Sequence, residues 1–133
     1  LVGPDLYMML PEEVLWRMFP EEVLRGADWV KETFSPDNPV VICDWSWGGA
    51  FTESGSRIPG DEYFSEGRMH TYFKALDFKF EEGIITPEEI REYLSKRNDI
   101  PYWTRVEAGT KGWIHLDQKP TNLPLGLVYE FKP

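Results

Sequence analysis

The chain has 133 residues, an ordinary length for one domain, and its 41% hydrophobic content with six tryptophans indicates a packed globular core. Fourteen basic and 23 acidic residues give a net charge of -9, which argues against nucleic acid or an anionic membrane surface as a partner. Cys43 is the single cysteine, which excludes an intramolecular disulfide and a multi-cysteine metal site.

The first predicted elements are two helices that begin at proline-glutamate-glutamate sequences. Pro11 and Pro20 each precede a pair of glutamates, a combination typical of a first helical turn. We expect the second helix to reach about Phe34, because apolar residues recur along it at helical spacing. These residues are Val23, Ala27, Val30 and Phe34.

A strand, a long loop and a second strand are predicted next. Residues 40–43 are apolar and mostly β-branched, which favours a short buried strand. The loop runs from about residue 45 to 69, and a loop of this length inside a compact domain is typical of a segment that builds a site. In the strand that follows, Leu76 and Phe78 face one way and Asp77 faces the other.

The remaining elements are a helix, a hairpin and a last strand. Thr86 is predicted to cap a helix that reaches about Arg97. Residues 103–107 and 113–117 alternate in polarity and predict a hairpin, and residues 127–131 predict a strand that closes the sheet. The sequence therefore predicts one α+β domain over residues 1–133, a small antiparallel sheet with helices packed on one face.

The predicted hairpin places charged residues together. If its loop closes symmetrically, Arg105 lies opposite His115 and Glu107 lies opposite Trp113. One face of the sheet then carries apolar residues, and the other carries Arg105, Glu107, His115 and Asp117. A solvated face could also hold these charges, so this pattern alone leaves both interpretations open.

Three side chains could form a metal site. His70, Asp77 and His115 converge only if the chain turns between His70 and Asp77, near residues 71–74. Two imidazoles and one carboxylate suit a catalytic zinc ion with one open position. The alternative is a metal-free interaction domain, in which both histidines are structural and the tryptophans fill the core.

Two short motifs resemble those of the zinc D-alanyl-D-alanine metallopeptidase family. The first is His70 with Ala75 and Asp77, similar to the family pattern Ser-x-His-x-x-Gly-x-Ala-x-Asp, and the second is Trp113-Ile-His115-Leu-Asp. The family includes DD-carboxypeptidases and phage endolysins and shares its fold with the hedgehog signalling domain. The resemblance covers about residues 22–118. It implies one zinc per chain on His70, Asp77 and His115, a peptidoglycan peptide substrate and a bacterial or phage source.

The resemblance also suggests substrate-binding residues. Arg57 matches an arginine-bearing loop that binds a substrate carboxylate in the family, and Arg105 is a second candidate for that role. Trp45, Trp47 and Trp113 are predicted to wall the substrate groove and exclude water.

The chain departs from the family at several positions. Arg68 and Phe73 replace the serine and the glycine of the first motif. The positions three and two residues before the last histidine, where the family commonly has its general base, are Gly112 and Trp113. Because Glu107 shares the predicted face of His115, we expect it to act as the catalytic base instead.

Two further expectations concern Asp117 and the biological role. Asp117 is predicted to orient the ring of His115 through the nitrogen that does not bind metal. The missing family base favours, as an alternative to a peptidase, an inactive zinc-binding domain with a structural or interaction role in a phage. The sequence has no apolar stretch of about 20 residues and no secretion-signal pattern at its first residues.

Overall fold

The computed structural model of the chain describes residues 4–42, 69–70 and 72–133. Helices and strands alternate irregularly along these residues, which confirms the predicted α+β fold. The helices are α1 (Pro4–Met9), α2 (Glu12–Met18), α3 (Glu21–Phe34) and α4 (Pro87–Ser95). The strands are β1 (Val40–Val41), β2 (Ala75–Phe80), β3 (Arg105–Glu107), β4 (Ile114–Asp117) and β5 (Tyr129–Phe131).

Helices α2 and α3 begin where the prolines predict. Pro11 and Pro20 are the N-cap residues of these helices. The prediction placed them one position later, in the first helical turn. The predicted apolar stripe of α3 is confirmed at Val23, Val30 and Phe34, which are buried. No helix in the described part of the chain combines the length and the apolar character needed to cross a membrane.

Helix α4 begins with the predicted capping box. The Thr86 hydroxyl accepts a hydrogen bond from the Glu89 backbone N–H at 3.2 Å, and the Glu89 carboxylate accepts one from the Thr86 N–H at 2.8 Å. Together these bonds satisfy backbone donors that the helix itself leaves open. The helix ends at Ser95, two residues before the predicted end at Arg97.

The five strands form one mixed sheet in the order β1-β2-β4-β3-β5. The predicted antiparallel pairing is confirmed for three of the four described strand pairs, and it fails for the fourth, in which β5 pairs with β3 in parallel. Strand β4 pairs with β2 on one side and with β3 on the other, so neither of its edges is free. Strand β5 therefore pairs with the free edge of β3. Since β4 reverses the chain and the next connection reverses it again, β5 runs in the same direction as β3.

The predicted hairpin exists, but its register differs from symmetric closure. Arg105 lies opposite Asp117 and Val106 lies opposite Leu116, so Arg105 is not opposite His115 as expected. The connection is longer than predicted because β3 ends at Glu107 and β4 begins only at Ile114. The register is shifted by two residues, and side chains alternate with period two, so each stays on its predicted face.

The apolar face of the sheet packs against the helices. Leu76 and Phe78 of β2 and Leu116 of β4 belong to the same buried cluster as Val23 and Val30 of α3. The same cluster also includes Leu15, Phe19, Phe34, Ile90, Leu94, Ile100, Trp103, Val106 and Ile114. Because the helices cover this face, the polar side chains of β2, β3 and β4 lie on the opposite one.

Candidate metal centre

Strands β2 and β4 bring Asp77 and His115 together. The two residues are direct partners in the antiparallel ladder, so their side chains project from the same face as neighbours. His115 Nδ1 lies 2.8 Å from Asp77 Oδ1. The alternation that sends Leu76 and Phe78 into the core therefore also delivers a carboxylate and an imidazole to one point.

A tight turn before β2 brings His70 to the same point. The N–H of Phe73 donates to the carbonyl of His70 at 3.2 Å, and the N–H of Lys74 donates to the carbonyl of Met69 at 2.9 Å. The predicted turn between His70 and Asp77 is therefore confirmed. His70 Nε2 lies 3.1 Å from His115 Nδ1 and 3.3 Å from Asp77 Oδ1.

Phe73 has a special conformation in this turn. Its φ is 57°, in the left-handed region that glycine adopts most easily, and this is the position where the resembled motif has glycine. The Phe73 ring packs edge-on against the Phe19 ring, with centroids 5.3 Å apart. This aromatic contact offsets part of the backbone strain, so a bulky residue can still form the turn.

The three groups can hold a metal ion. Each offers one ligand atom, these atoms lie within 4.8 Å of one another, and all three residues are buried, with 6% of His70 and 7% of Asp77 and of His115 exposed. A tetrahedral zinc ion about 2.0–2.1 Å from each ligand atom would separate those atoms by ~3.3 Å. The observed separations of 2.8, 3.1 and 3.3 Å are equal to or slightly shorter than this. An ion therefore needs only a small outward movement of the ligands.

The two histidines differ in the hydrogen-bond partner of the ring nitrogen that points away from the cluster. His115 Nε2 lies 3.0 Å from Asp117 Oδ2, which confirms the predicted contact between these residues. His70 Nδ1 is buried and has no hydrogen-bond partner among the described residues. Metal-binding histidines commonly donate their second N–H to a carboxylate, so the described structure completes this arrangement for His115 alone.

The charges of the cluster shift its pKa values. Burial opposes the charged form of His115, but its hydrogen bonds to Asp117 and Asp77 outweigh burial and raise the pKa of His115 to about 9. Burial also opposes ionisation of Asp117, but hydrogen bonds from His115 and Arg105 lower its pKa to about 2. Burial acts the same way on Asp77, and the two histidines nevertheless lower its pKa. The metal-free cluster is therefore a network of ionised carboxylates around a protonated imidazole.

A cavity of about 330 Å³ opens over the cluster. The predicted base Glu107, the predicted wall residue Trp113 and the predicted clamp Arg105 all line it, together with the three candidate ligands. Glu107 and Trp113 are half-buried, which leaves part of each side chain exposed. The other described residues that line it are Met69, Asp117, Phe131 and Pro133.

Three of the predicted site residues fall outside the described residues, and one aromatic lining residue was not predicted. Trp45, Trp47 and Arg57 lie outside the described residues, as does Cys43. Phe131 was not among the predicted site residues, and its ring lies 4.0 Å from the Arg105 guanidinium carbon and 5.8 Å from the His115 ring. No signal for it was available, because its position depends on the parallel pairing of β5 with β3.

Comparison of the chain with protein-family models, with curated proteins and with solved structures found no match. The geometry of this site and the two motifs of the sequence are therefore the observations that bear on function.

Proposed function

We propose that the protein is a zinc-dependent peptidase that cleaves peptidoglycan stem peptides. The observation that carries this proposal is the convergence of His70 Nε2, Asp77 Oδ1 and His115 Nδ1 beneath a cavity that also contains Glu107. Three protein ligands leave a fourth tetrahedral position open, which is the arrangement of a catalytic rather than a structural zinc site. The choice of stem peptides follows the motif resemblance.

The chain's own residues would divide the work of hydrolysis. Zinc bound by the three ligands would supply a Lewis acid and lower the pKa of water toward about 7. Glu107 would accept the proton of the attacking water and pass it to the leaving amine. Trp113 and Phe131 wall the cavity, so they would exclude bulk water from the peptide.

A clamp for a substrate carboxylate completes the proposal. Two arginines, Arg57 and Arg105, were predicted for this role. Arg105 already donates two hydrogen bonds to Asp117, which favours Arg57 as the clamp. A planar guanidinium binds a carboxylate through two parallel hydrogen bonds, so it would orient the peptide as well as attract it.

An inactive zinc-binding domain with a structural or interaction role is the second candidate. The specific observation that favours it is the pair Gly112 and Trp113, which occupies the positions where the resembled family commonly has its base. Glu107 comes from a neighbouring strand, so the two candidates differ in whether its carboxylate can replace that base.

The first experiment measures metal content. We expect about one zinc per chain by plasma mass spectrometry for protein purified without a histidine tag, and loss of this zinc in Asp77→Ala, because that variant removes the only carboxylate of the ligand set. Asp99→Ala removes an exposed carboxylate and should keep the zinc. Absence of zinc from the wild-type protein after zinc is supplied would contradict both candidates.

The second experiment tests Glu107. Glu107→Gln should reduce cleavage of peptidoglycan fragments by about 10²–10⁴-fold while zinc stays bound, because the amide cannot accept a proton. Glu130→Gln on β5 changes an exposed glutamate and serves as the matched control. A zinc-loaded wild-type protein without cleavage activity would favour the inactive domain, and full activity of Glu107→Gln would exclude Glu107 as the base.

A further inference from the structure

Arg105 and Asp117 form a largely buried ion pair with two hydrogen bonds on the wall of the site. Arg105 Nε donates to Asp117 Oδ1 at 2.8 Å, and Nη2 donates to Oδ2 at 2.5 Å. The Asp117 side chain is fully buried and 17% of the Arg105 side chain is exposed. The two residues are direct partners in the ladder between β3 and β4, so the backbone itself aligns them.

The ring of Phe131 fixes the arginine from the other side. The Arg105 guanidinium carbon lies 4.0 Å from the centre of this ring, within the range of a cation–π interaction. Because β5 pairs with β3 next to Arg105, the stacking partner is also delivered by the sheet. The guanidinium is therefore oriented by a carboxylate and by an aromatic face together.

The hydrogen bonds on Asp117 determine what it can offer to His115. Oδ1 accepts from Arg105 Nε and from the Lys119 backbone N–H at 3.0 Å, and Oδ2 accepts from Arg105 Nη2. Arginine and a backbone N–H can only donate, so three of roughly four acceptor positions of the carboxylate are occupied by donors. His115 Nε2 occupies the remaining acceptor position and lies 3.0 Å from Asp117 Oδ2.

This arrangement selects the ligand atom of His115. A carboxylate held as an acceptor requires the hydrogen to be on His115 Nε2. In the neutral, metal-binding form of His115 the lone pair is then on Nδ1, the atom that faces Asp77 at 2.8 Å and His70 at 3.1 Å.

We propose that Arg105 is a positioning residue for the metal site, which fixes the Asp117 carboxylate and through it presents His115 Nδ1 as the ligand. The inference rests on the proposed zinc site and replaces the predicted role of Arg105 as a substrate clamp. Without Arg105, the Asp117 carboxylate keeps only the Lys119 N–H and His115 as partners, so its orientation toward His115 is less firmly fixed.

The test measures zinc affinity by competition with a chromophoric chelator. Arg105→Gln should bind zinc about tenfold more weakly than the wild type, the lower end of the range for loss of a partner behind a metal-binding histidine. Arg105→Lys keeps the charge but not the two-point geometry, so it should also bind more weakly. Arg97→Gln removes an exposed arginine that pairs with Asp99 and should leave affinity unchanged.

The outcomes distinguish failure of the proposed function from failure of this inference alone. Wild-type protein that binds no zinc overturns the proposed function and this inference together. Wild-type protein that binds zinc, with Arg105→Gln within twofold of it, overturns this inference alone. An unchanged zinc affinity with a higher KM for peptide would mark Arg105 as a substrate clamp, and this result also overturns the inference.

A measurement on the wild-type protein covers the case in which the variants do not fold. In protein loaded with ¹¹³Cd and labelled with ¹⁵N, we expect metal–nitrogen coupling to His115 Nδ1 and a hydrogen on Nε2. Coupling to His115 Nε2 instead would overturn the inference, because Asp117 and Arg105 would then face the wrong nitrogen.

Discussion

Phe73 adopts an unfavourable backbone conformation in the turn that positions His70. Its left-handed φ of 57° is needed to bring His70 over Asp77, yet Phe73 has a side chain where the turn favours glycine. A non-glycine residue in this region costs of the order of 1–2 kcal/mol. The contact of Phe73 with Phe19 recovers part of that free energy.

Substitutions at Phe73 should reverse the usual order of alanine and glycine. We expect Phe73→Gly to be more stable than Phe73→Ala by about 1 kcal/mol, because both lose the ring and only glycine relieves the strain. Urea unfolding of the two variants measures the difference. The same pair at the neighbouring exposed Tyr72, which lacks a positive φ, should show alanine as the more stable residue. A more stable Phe73→Ala would contradict the account of strain.

The candidate ligand residues could be predicted from the sequence, but the atoms through which they would bind a metal could not. His70, Asp77 and His115 stood out because two motifs contain the chain's two histidines and a carboxylate in an otherwise apolar strand. The choice between Nδ1 and Nε2 of His115 depends on Asp117 and on its bond to Arg105. That bond follows from a ladder register that alternation alone cannot specify, because a shift of two residues leaves every face unchanged.

Helix α3 packs closely against Trp103, which precedes β3, at the position of Gly26. A β-carbon on Gly26 would lie 2.7 Å from the Trp103 ring, and the Trp103 indole N–H donates to the Gly26 carbonyl at 3.1 Å. Glycine weakens a helix, and here it allows the backbone to pack directly on a buried tryptophan. Trp103 in turn contacts Phe78 of β2, with ring centroids 5.8 Å apart.

Gly26→Ala should therefore destabilise the protein although alanine favours helices. The added methyl group overlaps the buried ring, and overpacking of this kind typically costs about 1–3 kcal/mol, more than the gain in helix propensity of about 1 kcal/mol. Thermal unfolding monitored by circular dichroism measures the effect. Asp28→Ala, at an exposed position of the same helix, should change stability by less than about 0.5 kcal/mol. An unchanged or raised stability for Gly26→Ala would contradict the close contact.

The elements themselves were predicted more accurately than their pairing. Helix starts at Pro11, Pro20 and Thr86 could be read from local chemistry, because capping involves neighbours in sequence. The parallel pairing of β5 with β3 could not, because it depends on which side of each strand is already occupied. Long-range competition of this kind has no local sequence signal.

Protonation of the buried cluster makes the stability of the folded protein depend on pH. In the metal-free protein the pKa of His115 is raised from 6.5 to about 9, so the folded state binds this proton more tightly than the unfolded state. The resulting stabilisation is fully present below pH 6.5 and is lost as pH rises through about 9. Its upper limit is about 3 kcal/mol.

We therefore expect the metal-free protein to lose stability between pH 6.5 and 9. Urea unfolding in the presence of a chelator and a reducing agent at pH 6, 7.5 and 9.5 measures the decline. His115→Gln removes the titrating group, so its stability should vary less over the same range. An equal decline in both proteins would assign the effect to other groups.

The order of the strands determines which parts of the molecule open first. In the described order β1-β2-β4-β3-β5, the strands with Asp77 and His115 each have a neighbour on both sides, whereas β1 and β5 lie at the ends. Local opening in native proteins begins where hydrogen bonds are least protected, so the end strands can detach while β2 and β4 remain paired. Release of a bound ion by separation of these two strands would then require nearly global unfolding. Opening of the sheet between Asp77 and His115 is therefore not a route by which a bound ion would leave the site.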